Sequence, residues 1–220
     1  SYDMLGEAAR TGADAARYHA AYAEAINEIG SRCTPGKMRD NPGISVKLSA
    51  LHPRYEFAQR GRVLRELVAR VSDLARMAAA RDMGFNIDAE EQDRLALSRE
   101  VIAAVLADPA LEGWDGFGVV VQAYGPRAGA MIDWLHDTAT RLDRRVTVRL
   151  VKGAYWDTEI KRAQVLGLPG FAVFTTKTAT DISYIANARK LLGMSARIYP
   201  QFATHNAHTV AAVLDLAQGL

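Results

Sequence analysis

The sequence predicts an α/β protein of the (β/α)8 TIM-barrel type, with parallel strands. Three observations predict it. Strand-like runs alternate with helix-length segments along the chain, four of those runs show one apolar and one polar face, and each of the four carries a charged or amide side chain at or near its end. An ordinary buried parallel sheet is apolar on both faces, so a polar parity shared by four strands needs a place where those groups are paired or wet. The interior mouth of a closed barrel is such a place.

Strand-like runs occur near Tyr2 to Leu5, Ile44 to Leu48, Phe85 to Asp88, Phe117 to Gln122, Val146 to Val151, Ala172 to Thr175 and Ile198 to Ala203, seven in all. In the second run Ile44, Val46 and Leu48 alternate with Ser45, Lys47 and Ser49. In the third, Phe85 and Ile87 oppose Asn86 and Asp88. The fourth places Val119 and Val121 on one face and Val120, Gln122 and Tyr124 on the other, and in the fifth Val146, Val148 and Leu150 alternate with Thr147 and Arg149. Lys47, Asp88, Gln122 and Arg149 are therefore expected to converge at the carboxyl ends of the strands.

Between the strands, helical spacing is clear in Val63, Leu64, Leu67, Val68, Val71, Leu74 and Ala75, and again in Met131, Ile132, Leu135, Ala139 and Leu142. Gly43, Gly84 and Gly116 precede strands, where a helix must stop and the chain must turn. No glycine-rich phosphate loop follows any strand, which argues against a doubly wound sheet. A last helix from about Ala207 ends where an eighth strand is expected, so the reading is of about seven βα units with the eighth missing. The edges of the first and seventh strands are then expected to be unpaired and open to contact with another chain.

With 220 residues, 49% of them hydrophobic, the chain can bury a sizeable core as one domain, although barrels of this class usually need roughly 250 residues. A net charge of +2 without a long basic run suggests no nucleic-acid partner. The single cysteine, Cys33, excludes an internal disulfide and fits a reducing compartment. No stretch is apolar enough to span a membrane, and the opening S-Y-D-M-L-G has neither an initiator methionine nor a signal-peptide pattern, as expected of a piece of something longer.

The segments G-I-S-V-K-L-S-A-L-H-P-R-Y, N-I-D-A-E-E, V-V-Q-A-Y, R-L-V-K-G-A-Y-W-D-T-E-I-K-R-A and Y-P-Q-F-A-T-H-N-A-H-T closely resemble the proline dehydrogenase domain of bifunctional proline utilization A proteins, across residues 1–220. The resemblance implies a barrel that binds FAD at its strand ends and oxidises L-proline to Δ1-pyrroline-5-carboxylate, by hydride transfer to flavin N5 with electrons passed to quinone. It also implies an aldehyde dehydrogenase domain in the parent polypeptide, and a cytoplasmic protein peripherally associated with the inner membrane. Carried over by position, Arg149, Val151, Lys152, Gly153, Ala154 and Trp156 match the flavin-binding strand and loop. Gln122, Asp88 and Ala89 match contacts around the ring system, and Thr175, Thr176, Lys177, Thr204, His205 and Asn206 match those to the rest of the cofactor. Lys47, Asp88 and Arg149 take the catalytic positions, and Lys47, Asp88 and Tyr155 the substrate-binding ones. The family's last strand and helix add an Arg-Arg pair and a tyrosine for the substrate, and the sequence stops before them. The resemblance thus supports flavin binding in part and leaves substrate binding, and activity of the chain alone, in doubt.

Each residue also has a plainer reading. Arg149 suits the electron-rich ring of a reduced flavin, or a buried salt bridge with Asp88 or Glu90. Lys47 can anchor a carboxylate, act as a Schiff-base nucleophile or simply neutralise Asp88, and a neighbouring carboxylate favours the anchor by raising the ammonium pKa. Asp88 has an orienting and electrostatic role, compatible with neutralising Lys47 or Arg149. Of Tyr155 and Trp156, adjacent on a turn, Trp156 is preferred for the cofactor. His205 and His208 lack a third metal ligand, and the helix start near Asn206 suits a phosphate better. Ser45, Asn86 and Thr147, one step deeper, need no catalytic role. Two rival functions remain: a Schiff-base aldolase using Lys47 or Lys152, and a non-catalytic barrel fragment.

Overall fold

The computed structural model describes residues 1–219. Helices and strands alternate from β1 (Tyr2–Asp3) and α1 (Gly12–Gly30) through β2 (Gly43–Val46), the short α2 (Leu48–Leu51) and α3 (Arg60–Ala79). They continue with β3 (Gly84–Ile87), α4 (Leu95–Leu106), β4 (Phe117–Gln122), α5 (Ala128–Arg141) and β5 (Val146–Val151). After α6 (Trp156–Val165) and α7 (Lys177–Leu192) come β6 (Ile198–Phe202) and α8 (Ala207–Gln218). The strands form one parallel sheet in sequential order from β1 to β6. Sequential order with helical crossovers is the winding of a barrel, because a doubly wound sheet reverses direction part-way.

Six strands form among the described residues, where the sequence suggested seven. The run Ala172 to Thr175 is a loop between α6 and α7. Its backbone is used elsewhere: the Phe174 amide donates to the Tyr124 carbonyl at 2.7 Å, and the Phe174 carbonyl accepts from the Trp156 indole at 2.8 Å. With those groups engaged by the turn after β4 and by α6, the segment is not free to join a ladder. The first strand and the last lie at the two edges of this sheet.

The expected parity of the strands is observed. Ile44, Val46, Phe85, Ile87, Phe117, Val119, Val121, Val146, Val148 and Leu150 turn outward into one continuous core. Leu67, Val71 and Leu74 of α3, Val101 of α4, Leu135 of α5 and Leu191 of α7 meet them there, all buried. Each such side chain contributes about 1.5–3 kcal/mol relative to exposure, which is why the outer faces are uniformly apolar. On the inner face the register aligns Ser45, Asn86, Gly118 and Thr147 in one layer. A Cβ on Gly118 would stand 1.9 Å from Asn86 Oδ1, so the missing side chain at 118 is what makes room for the amide beside it.

Of the glycines expected to precede strands, Gly116 does so at β4, while the other two have a different place. Gly43 and Gly84 are the first residues of their strands and pair with each other, and a Cβ on Gly43 would meet the Gly84 carbonyl oxygen at 2.8 Å. Polar caps set some of the helix starts. Thr11 and Asp14 form a reciprocal capping box on α1, and Asp108 caps the single turn Pro109–Leu111 that leads towards β4.

Tyr184 ties α7 to the sheet. Its buried hydroxyl donates to the carbonyls of Leu150 and Ala203 at 3.3 and 3.4 Å, and burial pushes its pKa up to about 12 from the ordinary 10.0. Because the folded chain keeps this proton longer than the unfolded one, stability falls as pH rises from 10 towards about 12. Tyr184→Phe should cost about 1 kcal/mol near neutral pH and make stability less sensitive to pH above 10, as read by urea unfolding on either side of that value.

Candidate active site

At the carboxyl ends of β2 to β6 the strands and their loops surround an open cavity of about 540 Å3. Lys47, Asp88, Ala89, Gln122, Arg149, Val151, Lys152, Gly153, Ala154, Tyr155, Thr204, His205 and Asn206 all line it. Val120 and Ala203 complete its apolar side, and Asp3 adds a carboxylate. Trp156, Thr175, Thr176 and Lys177 are not on this wall.

Lys47 follows β2 and Asp88 follows β3, so the parallel register sets them side by side. The Lys47 ammonium lies 2.9 Å from Asp88 and 3.3 Å from Asp3, with Lys47 and Asp88 largely shielded and Asp3 mostly exposed. Burial alone lowers the lysine pKa, but the Asp88 hydrogen bond and charge, with Asp3 behind them, outweigh it and hold the ammonium above the ordinary lysine range. Burial also raises the Asp88 carboxyl, against the pull of Lys47. The plain reading of Lys47 as the partner of Asp88 is thus realised, in a cluster that still faces the cavity. Asp3 was not singled out in the sequence; its signal was an aspartate inside the first strand-like run.

Arg149 forms neither of the salt bridges its plainer reading required. Its Nη1 donates to Ser45 Oγ at 2.9 Å and its Nε to Gln201 Oε1 at 3.1 Å, and it makes no ion pair among the described residues. Glu90 instead pairs with Arg94 at 3.1 Å and accepts from the Ser49 amide. A guanidinium seated on neutral groups keeps its charge for whatever enters the cavity. Gln201 is a second residue the sequence did not single out, although it holds the inward parity of β6 and lies in register with Arg149.

Gln122 is buried and bridges two loops, donating to the Glu90 carbonyl at 2.9 Å and accepting from the Ala154 amide at 3.0 Å. It thereby fixes the turn after β5. In that turn Tyr155 faces the cavity with its hydroxyl donating to Glu7 at 2.9 Å, whereas Trp156 is 40% exposed with its indole directed at Phe174. Of the two aromatics, Tyr155 is the one on the cavity wall. Asp181 of α7 receives Lys152 from the cavity wall at 2.5 Å and Lys177 from beyond it at 2.6 Å, so these two cations meet on one carboxylate. Thr176 caps α7 through the Ala179 amide, and Asn206 caps α8 through the Thr209 amide at 3.0 Å, which occupies one of the donors expected to meet a phosphate.

The family model for proline dehydrogenase matches residues 1–220. The chain belongs to the proline dehydrogenase family. Among relatives in that family, the bifunctional protein PutA of Escherichia coli K12 is 55% identical over 217 residues, and that of Rhizobium meliloti 51%. The chain spans only 16% and 17% of those two proteins. Among solved structures, a Bradyrhizobium japonicum proline utilization A variant superposes with a TM-score of 0.98 at 61% identity, over all of this chain and 23% of that one. The Bdellovibrio bacteriovorus protein, inactivated by N-propargylglycine, gives 0.91 at 29% identity, over 99% of this chain and 24% of that one.

Within this family member, Gly153 sits at the hinge of the site turn with φ +146°, and a Cβ there would lie 2.3 Å from the buried Tyr124 ring. Neither the backbone nor the ring has room to yield. Gly153→Ala should lower the unfolding midpoint by the equivalent of about 1–3 kcal/mol, as measured by thermal unfolding.

Proposed function

We propose that this chain is a catalytic barrel that oxidises L-proline to Δ1-pyrroline-5-carboxylate with FAD, the electrons passing to quinone. The carrying observation is Arg149, a cation at the cavity wall whose partners are both neutral. Family membership and the PutA relatives favour proline as the substrate.

The residues present fit FAD. A cavity of about 540 Å3 is within the range of small-molecule sites, its side of Val120, Val151, Ala154 and Ala203 offers apolar contact to a ring system, and Arg149 supplies positive charge for an electron-rich one. Asp88, Ala89, Gln122, Arg149, Val151, Lys152, Gly153, Ala154 and Trp156 would hold the ring and its chain. Thr175, Thr176, Lys177, Thr204, His205 and Asn206 would serve the outer portion, where Lys152 and Lys177 bring the charge a diphosphate needs. When bound, FAD supplies an acceptor for two electrons and a hydrogen. Loss of a hydride from the carbon beside the proline nitrogen to that acceptor, and of a proton from the nitrogen, would leave the carbon–nitrogen double bond.

The protein's own groups orient that exchange. Lys47, held charged, anchors the proline carboxylate. Asp88 fixes the ammonium of Lys47 and sets the local charge, and Tyr155 closes the wall beside the substrate. A lysine held protonated is a poor Schiff-base nucleophile, which counts against Lys47 in the aldolase alternative. The relatives' designation as bifunctional fits an aldehyde dehydrogenase domain in the parent polypeptide. We further propose cytoplasmic residence with peripheral attachment of the parent to the inner membrane. Among the described residues no helix is long and apolar enough to cross one.

The test is the visible flavin spectrum of the FAD-loaded protein before and after anaerobic proline. Proline should bleach it, and Arg149→Met should slow bleaching by about 100-fold or more; a spectrum unmoved by proline would overturn the proposal. Borohydride with an aldehyde or ketone should label neither Lys47 nor Lys152, whereas covalent trapping at either would restore the aldolase reading.

A further inference from the structure

We infer that Gln201 and Ser45 are positioning residues which seat Arg149 on neutral acceptors, so that its full charge acts on the flavin. The inference rests on the FAD reading above and extends it to two residues that do not themselves carry the chemistry.

Ser45 belongs to β2 and Gln201 to β6, strands that do not neighbour each other in the sheet. Arg149 reaches from β5 to both. One hydrogen bond spans 52 residues and the other 104, so the guanidinium is held by two strands other than its own. Ser45 is buried at 2% exposure, and its hydroxyl lies 3.5 Å from that of Ser1, another neutral group. Asp88 is close enough for Arg149 to lower its pKa, but its hydrogen bond is to Lys47 at 2.9 Å.

Amide and hydroxyl acceptors satisfy the guanidinium without cancelling its charge. A carboxylate at position 201 would accept the same hydrogen bond with almost the same shape and neutralise the field the cavity receives. The choice of glutamine is thus an electrostatic choice. It should appear in the reduction equilibrium of the bound flavin, because reduction adds negative charge to the ring.

The experiment is a spectroelectrochemical titration of the FAD-loaded protein alongside FAD binding by fluorescence. Gln201→Glu should lower the two-electron reduction constant at least tenfold, about 30 mV, while Gln201→Met, similar in volume and uncharged, should stay within about threefold of the unaltered protein. Ser45→Ala removes one grip and should raise the FAD dissociation constant by about tenfold. An unchanged potential in Gln201→Glu, an equal fall in Gln201→Met, or FAD bound undiminished by Ser45→Ala would each overturn the inference alone. Failure of the unaltered protein to take up FAD would overturn the FAD reading, and this inference with it.

Discussion

Everything at the mouth of this barrel depends on one constraint, that a polar side chain turned inward from a parallel strand must find a partner or water. The outer faces of the strands meet helices and are apolar without exception from Ile44 to Leu150. The inner faces have no helix to meet. In the layer above Ser45, Lys47, Asp88 and Arg149 are tied to side chains of other strands, with Val120 among them. These bonds run to the surrounding strands, and the centre of the mouth is the open cavity.

Lys47 and Arg149 are satisfied in opposite ways, and their chemistry diverges accordingly. Lys47 has two carboxylates, so its charge is secure but largely compensated within the protein. An incoming carboxylate must share that ammonium with groups already present, which favours orientation over raw affinity. Arg149 has none, so it contributes net field. One cation suits holding a zwitterionic amino acid in a fixed pose, and the other suits stabilising charge that appears during electron transfer.

Much of this was legible in the sequence because strand parity is a local property. Alternation within Ile44–Lys47, Phe85–Asp88 and Val146–Arg149 fixed which residues face inward, and the register did the rest. What sequence could not show were partnerships formed across distance. Asp3 meets Lys47 over 44 residues, Gln201 meets Arg149 over 52, and Asp181 meets Lys152 over 29, with no local pattern to announce them. The false seventh strand failed for a related reason. Residues 172–175 have the composition of a strand, yet Phe174 spends its backbone groups on Tyr124 and Trp156. That Tyr155 reaches the cavity while Trp156 turns its indole to Phe174 has no local signal either, because the turn is held by Gln122, a residue on another strand.

The span of the Arg149 contacts has a consequence for how the molecule comes together. Ser45 and Lys47 come from the first quarter of the chain, Asp88 from the second, Arg149 from the third and Gln201 from the last. No contiguous half of the polypeptide contains enough of them to make the guanidinium's seat. Contacts this remote bear a heavy loop-closure entropy and gain nothing until the intervening elements are docked. The mouth therefore reports on the assembly of the whole ring, and a partly folded chain has helices and core but no place for a ligand.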